Sequence, residues 1–173
     1  LESCLKNIVL VELDVFGSTF DGAVIYPIPN MVEYESSNNY MPVPKIIIAD
    51  LEDADVSFAA NLLKEKTSKY YSLVMQKEYQ NSKNAFIIRK CNHSILGNIQ
   101  SEEYEIHSNN GSVEILASDR SGLIYGVEAV LQMINDDKIM ECQVTDSPYM
   151  PLRGVHLGLP PREAIPFFYR LIR

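Results

Sequence analysis

The sequence predicts an α+β fold, with a mostly antiparallel sheet and two helices packed on one face. Apolar, β-branched segments of strand length outnumber the segments with helical spacing. Asn-Gly at 110–111 lies between two alternating segments, which is a strong signal for an antiparallel hairpin. Two longer segments, 54–70 and 119–134, have apolar residues at helical spacing. Packing these helices on the sheet buries the apolar face of each layer.

The predicted strands are distributed along the chain between turn-forming residues. Residues 24–35 contain Pro27 and Pro29, which cannot donate to a central strand, so an extended edge segment is expected. The polar residues 36–40 are predicted to form a turn. The remaining strands are predicted at 5–16, 45–50, 84–90, 102–107, 112–118 and 138–146.

Each predicted helix has a signal for its N-terminus. Asp53 or Asp55 is expected to cap the first helix. In the second helix, Asp119 and Ser121 can accept hydrogen bonds from the first-turn amides. The second helix also has one broad apolar stripe, which predicts burial against the sheet. This stripe consists of Leu123, Ile124, Val127, Val130, Leu131 and Ile134.

The second helix contains two glycines, Gly122 and Gly126, whose spacing places them on the same face. Each glycine costs about 1 kcal/mol relative to alanine inside a helix. We therefore expect both to have a structural role, namely the close approach of a neighbouring backbone or ring. Tyr125 is expected to project beside the resulting groove. A phosphate site is not favoured, because no glycine-rich phosphate loop precedes the helix.

The composition changes at DSPYMPLRG (146–154), where prolines and a glycine indicate a linker. We expect an N-terminal α+β domain over 1–145, a linker over 146–152, and the first strand and helix of an α/β unit over 153–173. Pro166 is predicted to end a short helical piece or to lie in the first turn of that helix.

Charge and composition exclude several function classes. The chain of 173 residues has a formal net charge of −8, which argues against binding nucleic acid through its phosphates. No apolar segment approaches the length of a membrane span, about 20 residues. The cysteines form no CxxC pair and the histidines no HExxH motif, so we expect free thiols, no metal site and no cofactor. These residues are Cys4, Cys91, Cys142, His93, His107 and His156.

The segment ASDRSGLIYGVEAVLQM (117–133) resembles part of the N-terminal domain that precedes the catalytic barrel in family 20 glycoside hydrolases, the β-N-acetylhexosaminidases. Residues 24–35, 102–118 and 146–159 resemble three further segments of that family in the same order. The resemblance leaves residues 1–23 unexplained. It implies a non-catalytic, zincin-like α+β domain followed by a (β/α)8 barrel, of which this chain contains only the first strand and helix.

The resemblance also implies the activity of the parent protein. That activity is the removal of a terminal β-linked N-acetylhexosamine by a substrate-assisted, retaining mechanism. The acetamido oxygen attacks the anomeric carbon, a glutamate protonates the leaving group, and an aspartate orients the acetamide. These two acids are expected beyond residue 173, so no catalytic residue is expected here. The expected partners are the chain's own C-terminal barrel and, through it, carbohydrate, and the family favours a secreted or periplasmic location.

By the same resemblance, Arg153 matches an arginine that binds sugar hydroxyls, and its guanidinium has five donors for them. However, Arg153 begins a barrel strand, whereas barrel active sites lie at the C-terminal ends of strands. An ion pair with a carboxylate such as Asp146 is the alternative. The family's usual aspartate is replaced by Gly158, and Arg162 is the candidate substitute for a missing arginine. These departures predict an altered sugar pocket. Gly154, the glycine next to Arg153 in the junction, is expected to have a structural role.

Two alternatives for the function stay open. The parent could belong to another glycosidase family with the same domain, such as family 84 or family 67. The Arg-Gly junction is shared with family 84, but the sequence VEGFYG that follows it there is VHLGLP here, at 155–160. The second alternative is a stand-alone module that binds carbohydrate or protein. The discriminating observation is whether a (β/α)8 pattern with an Asp-Glu pair follows this sequence.

Overall fold

The computed structural model describes residues 25–34, 40–69, 74–76, 83–94, 97–150, 153 and 161–167. The predicted strand at 5–16 lies outside these residues. So does most of the predicted β/α unit at 153–173, including Gly154 and Gly158. Within the unit, residues 162–164 form a 3-10 turn and 165–167 are helical, so Pro166 lies in a helical turn.

The described residues form short strands and two α-helices, and the predicted α+β class is confirmed. The helices are α1 (Ala54–Thr67) and α2 (Arg120–Met133). The strands are β1 (Met31–Tyr34), β2 (Tyr40–Pro42), β3 (Ile46–Ala49), β4 (Val74–Gln76), β5 (Ala85–Lys90), β6 (His93–Ser94), β7 (Gly97–Asn98), β8 (Tyr104–Asn109), β9 (Ser112–Ala117), β10 (Ile134–Asn135), β11 (Lys138–Met140) and β12 (Cys142–Asp146).

The main sheet has seven strands in the order β1-β12-β8-β9-β5-β3-β4. Pairing is antiparallel from β1 to β9 and parallel from β9 to β4. The sheet is therefore mixed, and the prediction of a mostly antiparallel sheet was wrong. The physical reason is the connection through α1, since a helical crossover between β3 and β4 returns the chain in the same direction.

Two smaller sheets complete the described fold. One has the order β10-β11-β2 and the other is the β6-β7 pair. The single strand predicted at 138–146 is in fact two strands in different sheets, β11 and β12, separated by Glu141. The Glu141 carboxylate accepts a hydrogen bond of 3.2 Å from the backbone N–H of Asn110. The predicted edge segment is confirmed, because β1 forms one edge of the main sheet.

Both helices pack on one face of the main sheet. Helix α1 contacts β3 and β5, α2 contacts β8 and β9, and the helices contact each other. The layer between them and the sheet consists of buried apolar side chains. Its largest fully buried side chains include Phe86, Ile47, Leu63, Ile88, Ile106, Ile115, Leu123 and Met133.

Local signals set the helix and hairpin boundaries. Asp53 caps α1 by accepting from the backbone N–H of Asp55 and Val56, and Asp119 caps α2 by accepting from Gly122. At 110–111, both residues of the hairpin turn have positive φ, +50° and +82°. This is the geometry that favours Asn-Gly between paired strands such as β8 and β9.

Candidate domain-docking site

A groove of about 420 Å³ opens on the surface where the chain leaves the sheet at the end of β12. It is lined by the segment 25–30, by one side of α2, and by residues 146–150 with Arg153. We refer to it as the junction groove. Four of its apolar side chains are unusually exposed: Tyr26 at 55%, Ile28 at 67%, Tyr149 at 98% and Met150 at 57%.

The wall formed by segment 25–30 is attached to α2 and to the end of β12. The Gln132 side chain bonds the backbone of Tyr26 twice, accepting from its N–H at 2.7 Å and donating to its carbonyl at 3.1 Å. Further along, the backbone N–H of Asn30 donates to Asp146 at 3.1 Å, and its side chain donates to the Ser147 carbonyl at 3.3 Å. These contacts attach segment 25–30 to α2 and to the end of β12.

Tyr104 forms the buried floor of the groove and is 4% exposed. Its hydroxyl donates a 3.4 Å hydrogen bond to Asp146. Burial raises the pKa of Tyr104, and the hydrogen bond and negative charge of Asp146 raise it further. The phenol is therefore neutral at physiological pH, and Asp146 is occupied by partners inside the domain.

Arg153 lies at the end of the groove, and four atoms accept hydrogen bonds from its guanidinium. Nη2 is 2.9 Å from both carboxylate oxygens of Glu102 and 3.2 Å from the Tyr125 hydroxyl. Nη1 donates to the Met150 carbonyl at 2.6 Å. The hydrogen bonds with Glu102 and then Tyr125 raise the pKa of Arg153 above its usual value. The carboxylate partner is therefore Glu102 and not Asp146, which was the predicted example.

The two glycines of α2 are buried against the strands beneath it. A Cβ at Gly122 would collide with the backbone carbonyl of Glu103 and would lie 2.9 Å from the Ala117 Cβ. A Cβ at Gly126 would lie 2.7 Å from Cγ2 of Ile115. This close contact fixes the helix, and Tyr125, between the glycines, lines the junction groove.

The remaining predicted residues do not extend this site. Arg162 is exposed at the start of the 3-10 turn and does not line the groove among the described residues. Within the same part of the chain, no group of three metal-binding side chains is present, and no helix is long and apolar enough to cross a membrane. Cys91 is half-buried and Cys142 is buried, and both are free thiols.

The sequence did not predict several residues of the junction groove or of the Arg153 contacts. Glu102 carried no signal, because its partner Arg153 is 51 positions away along the chain. Tyr149 and Met150 did carry one: large apolar side chains in a proline-rich linker are exposed unless a partner covers them.

Comparison with known proteins identifies the family of this chain. Residues 23–147 match the family model described as glycosyl hydrolase family 20, domain 2. The match covers more than half of the chain. The chain belongs to this family. The resemblance seen in the sequence is thus confirmed.

Solved structures share the fold of the family 20 domain. The N-acetyl-β-hexosaminidase of Streptomyces plicatus has a TM-score of 0.61 at 17% identity, covering 75% of this chain and 27% of that one. The β-N-acetylhexosaminidase of Bacteroides fragilis has a TM-score of 0.55 at 21% identity, and the match covers 72% of this chain and 25% of that chain. The protein CpGH84B has a TM-score of 0.56 at 20% identity, and the match covers 80% of this chain and 26% of that chain. The chain therefore spans about a quarter of the length of these proteins.

Proposed function

We propose that this chain is the non-catalytic N-terminal domain of a family 20 glycoside hydrolase, and that its junction groove packs against a (β/α)8 barrel following it in the chain. The proposed boundaries are a domain over 1–145, a linker over 146–152 and the first barrel unit from 153. The barrel supplies the chemistry, and this domain supplies a rigid surface that supports it.

The exposed apolar surface of the groove carries this proposal. Contiguous apolar side chains on a protein surface usually mark an interface. Here they belong to the residues through which the chain leaves the domain, namely Tyr149 and Met150, together with Tyr26 and Ile28 opposite them. A domain that continues from Arg153 starts beside this groove, so covering it requires only a short connection.

The proposed parent activity is the removal of a terminal β-linked N-acetylhexosamine by the substrate-assisted, retaining route. This proposal is supported by the family to which the chain belongs and by the names of two proteins with the same fold, the hexosaminidases of Streptomyces plicatus and Bacteroides fragilis. In that route the acetamido group of the substrate is the nucleophile, and a barrel glutamate is the acid. A secreted or periplasmic location is part of the same proposal.

Hydrolysis of a chromogenic β-N-acetylglucosaminide tests whether catalysis belongs to this domain or to the residues that follow it. The 173-residue chain alone should give no turnover, whereas the full-length protein containing the residues that follow should hydrolyse the substrate. Turnover by the chain alone overturns the non-catalytic assignment. Absence of turnover by the folded full-length protein overturns the parent activity.

Substitutions in the groove test docking. In the full-length protein, Tyr149→Ser with Met150→Ser should lower the free energy of unfolding by about 2 kcal/mol or more, because two large side chains lose a buried partner surface. Leu51→Ser is the matched control, since Leu51 is 42% exposed and lies outside the groove. Equal effects from the groove variant and the control would show that the barrel does not cover the groove.

The tyrosines of the groove favour a second candidate, a carbohydrate-binding module. Tyr26, Tyr125 and Tyr149 line one concave surface, and aromatic rings of this kind can stack on sugar faces. Titration of the chain with N-acetylglucosamine and its β-linked dimer, followed by NMR, distinguishes the two candidates. Shifts of groove resonances would support the module, and their absence supports the docking surface.

A further inference from the structure

We infer that Gln132 is a positioning residue for the docking of the two domains. It holds segment 25–30, which we call the strap, against α2, so that Tyr26 and Ile28 of the strap contact the domain that covers the junction groove. The occupant is an apolar surface of the barrel that follows this domain in the chain. The inference rests on the proposed function and adds which side chain prepares the groove for docking.

The side-chain amide of Gln132 provides the first step, because it has both an acceptor and donors. Its Oε1 accepts from the backbone N–H of Tyr26 at 2.7 Å, and its Nε2 donates to the Tyr26 carbonyl at 3.1 Å. A residue of a neighbouring antiparallel strand makes the same exchange of two hydrogen bonds. The Nε2 atom also donates at 3.4 Å to the carbonyl of Glu128, one turn back in α2. The helix therefore supplies the strap with the hydrogen bonds of a strand partner.

The strap is attached at its other end as well, and its middle is restrained. The backbone N–H of Asn30 donates to the Asp146 carboxylate at 3.1 Å. Between the two attachments lie Pro27 and Pro29, whose rings fix φ and which have no N–H to bond elsewhere. Ile28 lies between these prolines. The backbone on which Ile28 stands is thus held on both sides.

The strap divides its apolar side chains between the core and the groove. Ile25 is 6% exposed and belongs to the core, whereas Tyr26 and Ile28 are 55% and 67% exposed and line the groove. Backbone that is ordered before docking does not have to lose its conformational entropy in the complex. Holding the strap with Gln132 therefore strengthens docking, although Gln132 need not contact the barrel itself.

Hydrogen exchange at the Tyr26 amide of the 173-residue chain tests the attachment without reference to any enzymatic activity. The amide should be protected in the wild type. Gln132→Leu keeps a side chain of similar size but removes both hydrogen bonds, so this amide should exchange about tenfold faster or more. An unprotected amide in the wild type, or the same rate in the variant, overturns the inference.

The matched control is Asn61→Leu, which also replaces an exposed helix amide by leucine. Asn61 lies on α1 and donates at 2.8 Å to the carbonyl of Ser57, one turn back in its own helix. This variant should leave exchange at Tyr26 within about twofold of the wild type. Equal acceleration by both leucine variants would report a general loss of stability and would also overturn the inference.

Ile28→Ser tests whether the strap contacts the barrel. In the 173-residue chain it should change the unfolding equilibrium by about twofold or less, because Ile28 is already exposed there. In the full-length protein the change should be about tenfold or more, because the barrel covers this side chain. In a Gln132→Leu background the full-length effect should fall to about threefold or less, since the released strap no longer presents Ile28. Additive effects of the two substitutions would overturn the positioning role.

The double variant Tyr149→Ser with Met150→Ser separates this inference from the proposed function. If it destabilises the full-length protein while Ile28→Ser does not, the strap takes no part in docking and only the inference fails. If neither variant destabilises the full-length protein, the proposed function fails and the docking role of the strap with it, whatever the exchange rate at Tyr26 shows.

Discussion

Gly126 and Ile115 are in such close contact that a Cβ at position 126 would lie 2.7 Å from Cγ2 of Ile115. Both residues are buried, in α2 and β9 respectively. Real Cβ atoms do not approach a carbon this closely, so the helix can occupy its place only because residue 126 has no side chain. The helical propensity lost at Gly126 is the cost of bringing α2 down onto the sheet.

Gly126→Ala should therefore destabilise the chain by about 1–3 kcal/mol through overpacking, although alanine is the better helix former. Urea denaturation of the two proteins measures the difference. Ile115→Ala removes the colliding methyl group and should itself cost about 2–5 kcal/mol. In that background Gly126→Ala should be neutral or stabilising. Equal effects of Gly126→Ala in both backgrounds would show that Ile115 is not the excluding neighbour.

Gly122→Ala should cost more than Gly126→Ala, on the order of 2–4 kcal/mol. The atom nearest to the new methyl group is the backbone carbonyl of Glu103, which cannot rotate away. Moving the helix would also stretch the 2.9 Å hydrogen bond from the Gly122 N–H to Asp119. The control is Ser121→Ala at the adjacent half-buried position, which should stay within about 0.5 kcal/mol of wild type. A smaller cost at Gly122 than at Gly126 would contradict this ranking.

Asp119 should make stability depend on acid pH. Burial raises the pKa of Asp119, but hydrogen bonds from the backbone N–H of Gly122 and Glu102 outweigh it, and the pKa lies below its usual range. Its stabilising contribution is therefore present above the unfolded pKa of about 3.9 and is lost as the pH falls through the lower folded value.

Asp119→Asn tests this dependence. At neutral pH the variant should lose about 1 kcal/mol, because the amide nitrogen that replaces one carboxylate oxygen cannot accept from Ser101 and Glu102. Below about pH 4 the difference in unfolding free energy between wild type and variant should shrink. Urea titrations at several acid pH values measure it. A difference that is constant from neutral pH to about pH 2.5 would show that the native carboxylate has an ordinary pKa.

The second helix could be predicted almost completely because its signals are local. The cap at Asp119, the apolar stripe and the four-residue spacing of Gly122 and Gly126 can all be read from the sequence of the helix itself. The helix begins as predicted, since α2 spans Arg120–Met133, but Ile134, the last residue of the predicted stripe, begins β10. The signal for the hairpin at 110–111 was also local, because Asn-Gly lies directly between the paired strands β8 and β9.

Strand direction was not encoded in this way. Strand β5 pairs with β3 and β9 in parallel, and both partners are separated from it by other segments of the chain. One signal was present in the continuous apolar stretch Ile46–Ala49, because strands buried on both faces tend to be parallel. At the candidate site, the junction motif identified Arg153, but only the folded backbone brings Glu102 to it.

The buried thiol of Cys142 should make stability fall at alkaline pH. Burial raises its pKa to about 12, whereas the unfolded thiol ionises near about pH 8.5. Between these values the unfolded state has released a proton that the folded state retains, so stability is complete below about pH 8.5 and then falls by up to about 1.4 kcal/mol per pH unit. Cys142→Ala should reduce this slope, despite a cost of about 1 kcal/mol at neutral pH. Urea denaturation at about pH 8, 9 and 10 measures both slopes, and their difference isolates Cys142 from Cys91, whose pKa burial also raises. Parallel slopes would mean that solvent reaches the Cys142 sulfur in the native state.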